Sequence, residues 1–160
     1  TAAREVTVKD GRLCQEPIVK VREVFTASNK DRLCDKAVTG VITIKAAELE
    51  SLELKLRSDG KNYTSLNLID NEWVFDRSKS GEVITGVEKD EDSLGGIRRM
   101  PHSGNKESTL TILMDDFSVE IFEGGRAMSS TIYPPDGADS IELSVKAKSW
   151  SYTRSDIVKA

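Results

Sequence analysis

The chain has 160 residues, enough for one domain with a sizeable core or two small ones. Its 23 basic and 27 acidic residues leave a net charge of −4, which argues against a sequence-independent nucleic-acid binder that displaces counterions with surplus Lys and Arg. No apolar run approaches the roughly 20 residues a membrane helix needs. The opening Thr1-Ala2-Ala3-Arg4-Glu5 has neither an initiator Met nor the apolar centre of a signal peptide, so the chain reads as a segment of something longer.

Glu5-Val6-Thr7-Val8-Lys9 and Leu13-Cys14-Gln15 flank Asp10-Gly11, the best two-residue hairpin signal in the chain. Pro17 ends that hairpin, and Ile18 to Val24 leads into the polar stretch Ser28-Asn29-Lys30-Asp31-Arg32. Beyond it a period of two dominates. Val38 to Ile44 reads as a strand, and Lys45-Ala46-Ala47-Glu48-Leu49 is the one segment whose spacing suits a helical turn. Leu52, Leu54 and Leu56 alternate with Glu53, Lys55 and Arg57, and Leu66 and Leu68 with Ser65 and Asn67. Glu72 to Phe75 and Val83 to Val87 are the next strands. Lys89 to Glu107, with Asp90-Glu91-Asp92, Gly95-Gly96, Arg98-Arg99 and Pro101, is the longest loop candidate. Strands resume at Leu110 to Met114, Val119 to Phe122, Met128 to Tyr133 and Ile141 to Val145. Ser58-Asp59-Gly60, Ser80-Gly81, Glu123-Gly124-Gly125 and Pro134-Pro135-Asp136-Gly137 supply turns between them.

Each run has one apolar and one mostly polar face, as antiparallel strands covered on one side do. The fold class is therefore all-β, a two-sheet antiparallel sandwich or a barrel. Residues 1–24 form an edge hairpin and linker, and residues 25–160 the β-sandwich domain.

Few constellations carry chemistry. Asp115, Asp116 and Glu120 could pair as acid and base on a sugar, but they read better as a turn followed by a solvated strand face. His102 is the single histidine and has no identifiable partner. Ser118, Ser129 and Ser130 lack a nucleophile-elbow setting and an assignable base. Asp90-Glu91-Asp92-Ser93-Leu94-Gly95 opens like a calcium loop, yet Leu94 takes a ligand position and Pro101 stands where the bidentate Glu is required. Cys14 and Cys34 have no second pair, so zinc is not expected and two thiols are preferred to a disulfide. Asn62-Tyr63-Thr64 is a glycosylation sequon of little weight. Trp73, Phe75, Phe122, Tyr133, Trp150 and Tyr152 could stack on sugar rings, although most aromatics on alternating strands belong to the core. Arg98-Arg99 reads most simply as part of a solvated loop.

The order of segments resembles a known family. Arg4-Glu5-Val6 and Gly11-Arg12-Leu13-Cys14-Gln15-Glu16-Pro17 resemble the stretch where the catalytic propeller of family 32 glycoside hydrolases (invertases, fructanases, sucrose-6-phosphate hydrolases) passes into a C-terminal sandwich. Trp73-Val74-Phe75-Asp76-Arg77-Ser78-Lys79-Ser80-Gly81 is similar to a turn of that sandwich. Asp115-Asp116-Phe117-Ser118-Val119-Glu120-Ile121-Phe122, Gly124-Gly125 and Ser130-Thr131-Ile132-Tyr133-Pro134 resemble its best signature, and Trp150 matches a closing aromatic.

The resemblance implies a lectin-like jelly roll of the concanavalin type, and it places the chemistry outside this chain. The family's nucleophile, stabilising Asp and acid–base Glu lie in propeller motifs (Asn-Asp-Pro, Arg-Asp-Pro, Glu-Cys) that this sequence lacks. No catalytic residue, metal ligand or cofactor is therefore expected. The implied role is a non-catalytic module of a β-fructofuranosidase-type glycosidase that stabilises the propeller and helps shape the cleft rim or a dimer contact. The alternative is a stand-alone carbohydrate-binding module, with Trp150 and Tyr133 as the stacking residues. Expected partners are the catalytic propeller, sucrose or fructan as the parent enzyme's substrate and a second copy, but neither nucleic acid nor membrane. Two thiols and no visible leader favour the bacterial cytoplasm over secretion.

Overall fold

The computed structural model describes residues 2–18, 29–30, 39–82 and 96–156. The strands are β1 (Arg4–Lys9), β2 (Arg12–Pro17), β3 (Asn29–Lys30), β4 (Gly40–Ser58), β5 (Thr64–Ile69), β6 (Glu72–Asp76), β7 (Ile97–Pro101), β8 (Glu107–Asp115), β9 (Ser118–Glu123), β10 (Arg126–Thr131) and β11 (Ser140–Asp156). All pairings are antiparallel, and no helix occurs among the described residues.

β1 and β2 form a separate hairpin, and the other nine strands share one hydrogen-bonded network ordered β10-β9-β8-β4-β5-β6-β7, with β11 along β4 and β3 along β11. β11 follows one edge of β4 from Gly40 to Ser58. The opposite edge of β4 is divided: Gly40 to Ala47 pair with β8, and Glu53 to Leu56 pair with β5. Between those halves the ribbon slips register at Lys146/Ala147, and Glu48 takes a positive φ of 49°. This bulge bends both strands and lays β8-β9-β10 over β5-β6-β7. The result is the expected two-layered β-sandwich.

The alternation in the sequence decides what fills the space between the layers. Ile42, Ile44, Leu110, Ile112, Met114 and Ile121 from one layer meet Leu52, Leu54, Leu56, Leu66, Trp73 and Phe75 from the other in one buried cluster. Each such side chain contributes roughly 1.5–3 kcal/mol when taken out of water. Type I′ geometry, with both central residues at positive φ, closes the hairpins at Asp10-Gly11, Asp70-Asn71 and Gly124-Gly125.

Three expectations change. The 45–49 segment is strand, because pairing with β8 and β11 outweighs the helix preference of its Ala, Glu and Lys. Part of the supposed 89–107 loop is the edge strand β7, paired with β6 from Ile97 to Pro101. Arg57 is buried rather than on the polar face of its strand. Its φ of 52° turns the guanidinium inward, where Nε donates to the Ala138 carbonyl (2.7 Å) and Nη1 to the Asp116 carbonyl (3.1 Å). Burial lowers its pKa, partly offset by Asp116 and then Asp139. The strand expected at 83–87 and the run Asp90-Glu91-Asp92 lie outside the described residues.

Asp59 organises the β4–β5 turn. Its carboxylate accepts from the Asn62 side chain (2.9 Å) and from the Asn62 and Lys61 amides (2.6 and 2.8 Å), which brings its pKa down from 3.8 to about 2. A lowered carboxyl pKa stabilises the fold above the unfolded-state value, and that contribution is lost as pH falls toward the folded one. The turn is predicted to hold at pH 5 and to loosen between about pH 4 and pH 2. NMR shifts of the Lys61 and Asn62 amides should report it, and amides unchanged to pH 2 would contradict it.

Candidate docking surface

The β1–β2 hairpin lies on the outer face of β9. Alternation along β9 sends Val119, Ile121 and Glu123 toward the core and Glu120 and Phe122 the other way. Glu120 is nevertheless 3% exposed, because the hairpin covers it. Arg4 Nη2 meets Glu120 Oε2 at 2.5 Å, the Ala2 amide donates to Glu120 Oε1, and the Arg4 guanidinium sits 5.3 Å from the centre of the Phe122 ring. Arg4 Nη1 also donates to Gln15 Oε1 at 3.0 Å. One cation thereby joins β1, β2 and β9, and the expected solvated Glu120 is instead the anchor of the hairpin.

The second strand is fixed through its backbone. The Gln15 amide donates to the Gly125 carbonyl at 2.8 Å. Gly125 has a φ of 76°, and a Cβ there would stand 3.0 Å from Cys14 Sγ, so any other residue would strain the turn and push Cys14 aside. Cys14 is half-buried and free; Cys34 lies outside the described residues. Farther along the hairpin Val6, Val8 and Leu13 are 56%, 71% and 63% exposed, on the face that alternation and register give to Arg4 and Gln15.

A second buried carboxylate, Glu123, joins the two layers. It accepts from the Ser103 amide (2.9 Å), the Ser103 hydroxyl, the Ser108 hydroxyl (3.2 Å) and Trp73 Nε1 (3.4 Å). His102 packs edge-on against Trp73 at 5.5 Å, with Nδ1 3.5 Å from Glu123 Oε1, too long for a hydrogen bond. Glu123, which the sequence places in a turn, is the carboxylate that packs beside His102 without a hydrogen bond. Buried at the seam between layers, the group is a structural joint. Asp115 ends β8 and Asp116 lies in the turn that follows, both exposed.

The aromatics divide as their strands dictate. Trp73, Phe75, Phe122 and Tyr152 are buried, whereas Tyr133 and Trp150 are 42% and 41% exposed. Tyr133 packs on Phe117 at 5.6 Å, just past the end of β8, while Trp150 lines a shallow depression with Glu107 at its start. Along β8 those ends are separated by roughly 3.4 Å per residue, so the two rings serve no common sugar site. No cluster of three His, Cys, Asp or Glu suited to a metal occurs among the described residues.

The family described as glycosyl hydrolases family 32 C terminal matches residues 15–158. The chain belongs to that family. A raffinose invertase from Escherichia coli is 34% identical over 154 residues, covering 92% of this chain and 31% of the relative. Among solved structures, a sucrose-6-phosphate hydrolase from Lactobacillus gasseri superposes with a TM-score of 0.78 at 17% identity, covering 97% of this chain and 33% of that one. An exo-inulinase from Aspergillus awamori gives 0.75 at 14% identity, covering 98% and 35%. This family 32 C-terminal domain spans about a third of the length of the relatives it matches, and at such identities the two structures speak for the fold alone.

If Arg4 is the fastener, Arg4→Ala should leave Glu120 without its cation and free the hairpin. Hydrogen exchange at the β1 and β2 amides is predicted to quicken about tenfold or more, with β8–β9 exchange unchanged. Unaltered exchange in the hairpin would show that other contacts hold it.

Proposed function

We propose that this chain is the non-catalytic C-terminal β-sandwich module of a sucrose- or fructan-hydrolysing β-fructosidase, where it stabilises the catalytic propeller and lends a surface to the cleft rim or a dimer contact. The observation that carries the reading is the hairpin. Fixed at its base through Arg4 and Glu120, it leaves Val6 and Val8 exposed toward its tip. A two-stranded hairpin is marginal alone, and apolar side chains held out on it call for a covering surface. In this proposal the preceding domain supplies that surface. The names of the relatives add sucrose, its phosphate, raffinose and inulin as candidate substrates of the parent. Cytoplasmic residence belongs to the same proposal, supported by the free Cys14 thiol.

The 160-residue chain is expected to release no fructose from sucrose, raffinose or inulin, and robust turnover would overturn the non-catalytic assignment. The covering role has its own test. Val8→Asp should change the stability of the isolated chain by less than about 0.5 kcal/mol, yet lower the Tm of the full-length parent by several degrees. Equally small effects in both proteins would remove the docking function.

The exposed Tyr133–Phe117 pair favours a second reading, a lectin-like binding module. Calorimetric titration with fructo-oligosaccharides separates the two. Micromolar binding abolished by Tyr133→Ala or Trp150→Ala would put the second reading first.

A further inference from the structure

An open groove of about 1000 Å³ lies where β2 of the hairpin meets β7 and β10, the end strands of the two layers. The chain carries a net charge of −4, yet Arg98, Arg99 and Arg126 line this groove and no Asp or Glu does among the described residues. Arg99 is already engaged by Glu72 at 3.3 Å. Arg98 stands near a like charge: the Arg77 pKa is lowered by burial first and by Arg98 second. Cations gathered in a concavity repel one another until an anion joins them.

The neutral groups of the groove suit the same ligand. Gln15 spends its side-chain oxygen on Arg4, which leaves its amide N–H groups to donate, and the Ser129 hydroxyl is a further donor. Leu13 and Met128 give the groove apolar walls that strengthen ionic contacts beside them. Arg98 stands on β7 and Arg126 on β10, so their guanidiniums reach the groove from two separate strands. A tetrahedral dianion offers oxygen pairs to both, whereas a planar carboxylate satisfies only one fork.

We propose that this groove binds a phosphate dianion, free or carried as a monoester, with Arg98 and Arg126 as charged clamps and Gln15 and Ser129 as neutral donors. The site does not depend on the parent enzyme's activity and can fail without affecting that assignment. Calorimetric titration of the 160-residue chain with sodium phosphate, at ionic strength held constant with sodium chloride, tests it. Saturable binding is expected, weakened about fivefold or more by Arg98→Gln or Arg126→Gln and less than about twofold by Arg99→Gln. Heats that never saturate, or equal weakening by all three substitutions, would overturn it. Should a Gln variant lose its folded circular-dichroism signal, the Lys variant replaces it; keeping the charge but not the fork, it should bind with intermediate affinity, and unchanged affinity would overturn the clamp. Tighter binding of a hexose phosphate than of inorganic phosphate identifies a monoester as occupant, and equal affinities identify free phosphate.

Discussion

The pairing of β4 with β11 is the constraint from which the rest of the architecture follows. Both strands cross from one layer to the other, so each layer is built on half of the same ribbon. The bulge near Glu48 sets the fold line. The Glu48 amide donates to the Lys106 carbonyl there (2.7 Å), and Lys148 reaches the Glu48 carboxylate at 3.0 Å. Because β4 and β11 pair on both sides of the bulge, the layers cannot slide independently, and the apolar residues along β4 are committed to facing each other.

β9 shows how a sandwich acquires a third layer locally. Its core side meets the opposite sheet through Glu123 and Trp73, and its outer side meets the hairpin through Glu120 and Phe122. A carboxylate withdrawn from water on each side is tolerable only because each is surrounded by donors: Arg4 and the Ala2 amide for one, Ser103, Ser108 and Trp73 for the other. Both are specificity devices as much as sources of stability, since they fix where the hairpin and the 102–103 segment sit.

What could be read from residues alone follows the same division. Alternation at Leu52-Leu54-Leu56 and Leu110-Ile112-Met114 disclosed the fold class, and Asp10-Gly11 disclosed the hairpin, because those signals are local. Where β4 continues through 45–49 was hidden, since Lys-Ala-Ala-Glu-Leu prefers helix and only the neighbouring strands make it extended. β7 escaped notice because an edge strand can carry Arg98, Arg99 and Pro101, the residues that usually mark a loop. The burial of Glu120 had no local sign either: its position opposite Val119 points away from the core, and the cover comes from residues more than a hundred positions earlier. The ordered motifs resembling family 32 carried the domain assignment, whereas the Arg4–Glu120 clasp and the His102–Glu123 joint required coordinates.

The antiparallel ribbon also has a mechanical side. Gly40 opposes Asp156, so the start of β4 and the end of β11 lie at the same extremity of the ladder. Tension between those two points would open rungs one after another, like a zipper, instead of loading the ladder in shear. Pulled in that direction, the domain should yield at low force however well its interior is packed, with peeling beginning at Ser155 and Val41 and advancing toward the bend.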